Sequence, residues 1–136
     1  MKLNTRNMKR ASGMTLLELT VVILVLLSLI SILFIGARAW KKGSDRAGCI
    51  MNIRNVQQGV RSYANMNGFS PGDTVTGWKA NVIGTGLFVE KTPACPGGGT
   101  YTYASDTVIP AVGTLAMTCS LSAAPDNHVP GAYTDW

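Results

Sequence analysis

The 136-residue sequence predicts an α+β chain in which one long N-terminal hydrophobic α-helix, transmembrane and then amphipathic, packs on a small antiparallel β-sheet head. Three observations predict it. An apolar run follows a basic start, a helical stripe continues beyond that run, and all six prolines fall after residue 68. The length suits one small domain. Apolar residues make up 46% and charged residues 14%, which excludes a solvated, disordered chain. The net charge is +5, but Lys2, Arg6, Lys9 and Arg10 supply four of the twelve basic residues. From residue 14 onward eight basic residues face seven acidic ones, a net of +1, so no nucleic-acid partner is predicted.

Residues 1–13 (MKLNTRNMKRASG) read as a basic leader without acids. Residues 14–35 (MTLLELTVVILVLLSLISILFI) carry one charge, Glu18, and otherwise only Thr and Ser as polar residues. As a helix this run rises about 33 Å, against about 30 Å of bilayer hydrocarbon. Helical hydrogen bonding is what lets a single open segment satisfy its backbone in lipid. The leader predicts a cytoplasmic N-terminus and an exported head, although Arg38, Lys41, Lys42 and Arg46 compete with that orientation. Ala37-Arg38-Ala39 offers a small-residue cleavage site after the run, but the run exceeds a secretory core of about 7–15 residues, so the span reads as retained.

Cys49, Ile53, Val56, Val60 and Tyr63 then fall on one helical stripe, with Arg54, Asn55, Gln58 and Arg61 off it. Asn67-Gly68 is a stop signal, so one helix is predicted over residues 14–67. Gly36, Gly43 and Gly48 weaken its middle and predict a bend or a meltable stretch there. The head is predicted over residues 68–136. It starts with a loop (Phe69 to Asp73) and a short helix through Trp78 to Ile83, capped by Thr76. An extended piece at Leu87–Val89 and a turn at Cys95–Gly99 follow. Tyr101–Tyr103 and Leu115–Ser120 read as strands, and the last sixteen residues as an irregular tail. Two strands do not stand alone, so they are expected to pack on the Ile53/Val56/Val60/Tyr63 stripe.

An acid in a membrane span is expensive and a functional candidate by default. Near the N-terminal end of its helix, Glu18 also suits headgroup water and the helix dipole. Its surroundings narrow the choice. A basic leader, Gly13, then Met14-Thr15-Leu16-Leu17-Glu18 and an unbroken apolar run resemble the type IV prepilin signal of type IV pilins and type II secretion pseudopilins. Gly13, Met14, Thr15, Leu16 and Glu18 match that pattern, with Met14 standing where Phe is usual. The resemblance covers about thirty residues and implies a pilin-like lollipop. It implies cleavage by a prepilin peptidase between Gly13 and Met14, N-methylation of Met14, and pairing of Glu18 with the Met14 amine of a neighbouring subunit. The apolar helix, residues 14–35, would form the filament core. Implied partners are further copies of the chain, the peptidase, an assembly ATPase with its inner-membrane platform, and membrane lipid before assembly. More weakly, the 92–101 and 112–120 segments look like the small heads of some bacterial pilin-like proteins.

Cys95 and Cys119 share the predicted exported head and flank its strand pair. A disulfide between them is the leading expectation, and two buried thiols are the alternative. Cys49, on the helix stripe, is expected to be a buried free thiol. Cys95, Cys119 and His128 lack any C-x-x-C spacing, so no metal site and no cofactor are predicted. Head-loop oxygens bind calcium in the type II major pseudopilins that the chain resembles. Asp73, Asp106, Asp126, Asn127 and Asp135 leave that option open, but no EF-hand spacing assigns a ligand. His128 reads as an exposed tail residue, with no nucleophile or orienting acid marked beside it. Gly97-Gly98-Gly99 lacks a following Lys-Ser/Thr and reads as a turn. Trp78, Trp136, Tyr101 and Tyr103 read as small-core aromatics. No enzyme is predicted. The expected function is a structural filament subunit at the inner membrane, single-pass before assembly. The alternative is a membrane-anchored periplasmic or extracellular binding module that never polymerises.

Overall fold

The computed structural model describes residue 13 and residues 15–136. Four elements follow in order: α1 (Leu16–Asn67), α2 (Trp78–Val82), β1 (Tyr101–Tyr103) and β2 (Met117–Cys119). The chain divides into two compact units, with the boundary between Arg38 and Ala39. The α+β class predicted from the sequence is observed: one long apolar N-terminal helix and a small two-stranded antiparallel sheet. Helical assignment runs unbroken through Gly36, Gly43 and Gly48.

In the first unit the helix starts on a reciprocal cap. The Thr15 amide and hydroxyl both donate to Glu18 Oε2, at 3.0 and 3.2 Å, while the Glu18 amide donates to Thr15 Oγ1 at 3.3 Å. This is a capping box, with Ser/Thr and Glu three residues apart satisfying orphan amides of the first turn. Further along, Thr20, Ser28 and Ser31 donate their hydroxyls to Leu17, Val25 and Leu27 carbonyls. Such bonds keep hydroxyl donors satisfied without water. The helix contains an 18-residue window of mean hydropathy 3.0, none of it buried within the protein. It is long and apolar enough to cross a membrane.

In the second unit the 49–64 stretch of α1 supplies one wall of the core. Cys49, Ile53, Val56, Gln57, Gly59, Val60 and Ala64 are buried there, and Tyr63 is half-buried against the same cluster. The opposite wall is Val75, Trp78, Val82, Ile109, Ala116 and Met117. β1 and β2 pair antiparallel with Tyr101 opposite Cys119 and Tyr103 opposite Met117. Two isolated bridges, Thr74 with Val108 and Ile83 with Val89, tie the loops. The second strand is shorter than predicted because Ala116 turns its amide to Gln57 Oε1 (2.8 Å), while Gln57 Nε2 donates to the Thr114 carbonyl (3.1 Å). One buried amide side chain thus satisfies two main-chain groups and joins the strand approach to the helix. Arg61 does the same for the tail, donating to the main-chain oxygens of Pro110, Ala111 and Trp136. Thr76 is not the cap of α2. Gly77 occupies that position in the left-handed region (φ 67°), and Asp106 Oδ1 accepts the Lys79 amide at 2.7 Å.

Candidate functional site

Two places carry chemistry, one in each unit. In the first, Thr15, Leu16 and Glu18 lie at the start of the exposed apolar helix. Among the described residues, Glu18 is held by Thr15 alone, through Oε2. The leader, Met14 and its amine lie outside the described residues, apart from Gly13, which is exposed. Cleavage between Gly13 and Met14, and pairing of the Met14 amine with Glu18, therefore stay as expectations from the sequence.

The second place lies in the head. Cys49 on α1, Cys95 in the 95–99 turn, Cys119 at the end of β2 and His128 in the tail converge on one point. Their Sγ and ring-nitrogen atoms all lie within 4.8 Å of one another, and all four residues are buried. The Cys119 and Cys95 sulfurs are 3.7 Å apart, and Cys95 Sγ lies 3.4 Å from His128 Nδ1. All three cysteines are free thiols. The two cysteines expected from the sequence to pair, Cys95 and Cys119, are thus adjacent and unbonded in this structure. The two also share their pocket with a third thiol and an imidazole. His128 is 4% exposed, which corrects its reading as a surface residue.

Local geometry explains the convergence. Helical spacing turns Cys49 inward with Ile53 and Val56. The ladder places Cys119 opposite Tyr101, and the pairing continues where the Ser120 amide donates to the Thr100 carbonyl (2.9 Å). This brings β2 beside the turn that carries Cys95. Beyond β2 the chain folds back: Asn127 has φ 50°, and the His128 amide donates to the Leu121 carbonyl at 2.8 Å. The imidazole then reaches over Cys95. Two glycines of the turn are required by proximity. A Cβ at position 97 would stand 2.7 Å from His128 Cε1, and one at position 99 would stand 2.8 Å from Cys119 Sγ.

The electrostatics differ between the thiols. Burial pushes Cys49 up to about 12, against a smaller downward pull from the Tyr101 hydroxyl, which donates to its sulfur at 3.3 Å. Burial also acts upward on Cys95. There the amides of Gly99 and Gly97, together with His128 and Cys49, outweigh it and bring the thiol down to about 7. Burial raises Tyr101 as well, and its oxygen accepts a hydrogen bond from Asn52 Nδ2 at 3.1 Å. Asp73 and Asp106, two of the loop acids left open as calcium ligands, are engaged by main-chain amides of Ser70 and Lys79.

The sequence offered a faint signal for this cluster. Cys49, Cys95, Cys119 and His128 are all the cysteines and the one histidine of the chain. Their separations match no metal-binding motif, and Cys49 was assigned to the apolar stripe. Comparison with family models, with curated proteins and with solved structures found no match.

Proposed function

We propose that the chain is a structural subunit of a type IV pilus-like or type II secretion pseudopilus filament, polymerising through its N-terminal helix after processing by a prepilin peptidase. The observation that carries this reading is the apolar surface of the first unit. From Leu16 to Ile35 every residue is exposed within the protein, in a segment of mean hydropathy 3.0. Such a surface needs lipid or other helices around it. A basic leader, Gly13, Met14 and Glu18 precede or open that segment in the order of a prepilin signal. In this reading the chain first spans the inner membrane with its N-terminus in the cytoplasm, then leaves lipid for a bundle of identical helices. Glu18 supplies the anion in that bundle and the Met14 amine of the next subunit supplies the cation, since an unpaired buried charge is strongly unfavourable. The head decorates the filament and is not an enzyme.

A second reading, a single-pass anchored module that never polymerises, draws on one observation: Thr15 already partners the Glu18 carboxylate. Intact-mass measurement on membrane or sheared-filament material separates the two. A mature chain starting at methylated Met14 is the expected result. A retained leader, or a start at Ala39, would overturn the filament reading.

A further inference from the structure

We propose that Cys49, Cys95, Cys119 and His128 form a closed, structural zinc site at the centre of the head. The proposal does not depend on filament assembly. It rests on four soft or borderline ligands, drawn from four separate segments, meeting at one buried point. Zinc takes tetrahedral Cys3His sets, with Zn–S of about 2.3 Å and Zn–N of about 2.0–2.1 Å, which makes S···S edges of about 3.8 Å and S···N edges of about 3.5 Å. The Cys95–Cys119 and Cys95–His128 separations are 3.7 and 3.4 Å, already close to those edges. The widest separation, 4.8 Å, has to contract by about 1 Å to meet the same tetrahedron. Ligand atoms this close surround a single ion; a multi-iron cluster spreads its cysteines over separate metal atoms. Thiolates and imidazole do not suit calcium or magnesium, which take oxygen ligands.

Four protein ligands fill the tetrahedron and leave no open position, so the site is structural. The bound set is three thiolates and one neutral imidazole, so the zinc–ligand unit carries one net negative charge and its formation releases protons to solvent. The surroundings supply donors for that charge. The Tyr101 hydroxyl donates to Cys49 Sγ at 3.3 Å, and the main-chain amides of the turn at Gly97 and Gly99 favour the Cys95 thiolate. Outer donors of this kind orient and tune zinc ligands. The two glycines also have a shared reason: a Cβ at either position would strike a ligand residue, His128 or Cys119. A Cys95–Cys119 disulfide would use two of the four groups and explain neither the burial of His128 nor the place of Cys49.

The test uses the full chain in detergent, reduced, equilibrated with Zn²⁺ and desalted. About one zinc per chain is expected by elemental analysis. Co²⁺ in its place should give the intense visible absorption and sulfur-to-metal charge transfer of a tetrahedral thiolate site. Cys49→Ser distinguishes the metal from the disulfide, because the bridge does not involve Cys49. Zinc retention should fall at least about tenfold in that variant. Should Cys49→Ser fail to fold, the wild-type chain decides: EDTA should lower the melting temperature of the zinc-loaded, reduced protein. Three results would overturn the proposal. They are zinc below about one in ten chains after loading, full zinc retention by Cys49→Ser, or a melting temperature indifferent to EDTA.

Discussion

Residues up to Arg38 and residues from Ala39 onward treat apolar surface in opposite ways. In the first unit Leu24, Leu33 and Ile35 are 67 to 74% exposed. In the second, Trp78, Ile109 and Met117 are fully buried. In the first unit, from Leu16 to Arg38, the helix is held by local bonds, each amide bonding a carbonyl one turn back, and its apolar surface waits for lipid or another helix. The second is held by contacts between residues far apart in sequence, such as Gln57 with Ala116 and Arg61 with Trp136. One chain therefore contains a segment whose hydrogen bonds are all local and whose apolar side chains find no partner among the described residues, and a segment held by its own core.

The sharpest way to break that comparison is at Glu18, where the first unit has a polar group of its own. Glu18→Val should leave membrane insertion intact, because removing the one charge of the span makes it more apolar. It should abolish filaments, since the incoming amine then has no opposite charge. Glu18→Gln is the more informative change. A capping box accepts Gln as well as Glu, so the Thr15 amide keeps its acceptor while the charge is lost. Sheared-filament yield at or near zero in both variants, with normal membrane fractionation, is the expected result. Normal yield from Glu18→Gln would assign Glu18 to the cap rather than to assembly.

Truncating one large side chain in each unit sharpens the contrast. Trp78→Ala removes a fully buried ring and its indole bond to the Ser105 carbonyl (2.7 Å). It should destabilise the head by about 3–5 kcal/mol, read from chemical denaturation in detergent. Leu24→Ala removes a side chain that touches no core and should move the same transition by less than about 0.5 kcal/mol. A comparable loss from Leu24→Ala would mean that the head's stability depends on the apolar segment.

The same division governs what the sequence revealed. The long helix was legible almost to the residue, ending at Asn67, because apolar runs and 3.6-residue stripes are local patterns. β1 was also read at its true limits, from Tyr-Thr-Tyr beside a glycine turn. The start of α2 at Trp78 was legible, but its cap was misread, because the side chain that accepts a first-turn amide, Asp106, lies 27 residues away. His128 was misread for the same reason. A histidine flanked by polar and proline residues looks exposed until the chain folds back onto Cys95. Within the thiol cluster, the nearness of Cys95 to Cys119 was legible from their shared place in the head, while the approach of Cys49 and His128 to them was not. Their convergence depends on how the head closes, which no spacing rule encodes.

The smallest effect is expected within β1 itself, where two tyrosines on one face have opposite hydroxyl environments. Tyr101 donates to Cys49 Sγ and accepts from Asn52, so its oxygen is fully engaged. The Tyr103 hydroxyl oxygen is buried and has no hydrogen-bond partner among the described residues. The Tyr103 ring is engaged all the same: Trp78 lies 6.5 Å away at a tilt of 60°, and Lys79 Nζ sits 4.1 Å over its centroid. Tyr103→Phe keeps the ring, the tilted pair and the cation–π contact, and removes only the unsatisfied oxygen. Leaving a buried donor unpaired has a desolvation penalty, so Tyr103→Phe should be neutral or stabilising by up to about 1 kcal/mol. Tyr101→Phe should instead cost about 1 kcal/mol, because it leaves Asn52 and Cys49 without their shared partner. Urea midpoints of the two variants, measured side by side at unchanged slope, check both signs. A loss in Tyr103→Phe as large as in Tyr101→Phe would show that a buried water bonds the Tyr103 hydroxyl and that the two environments are equivalent.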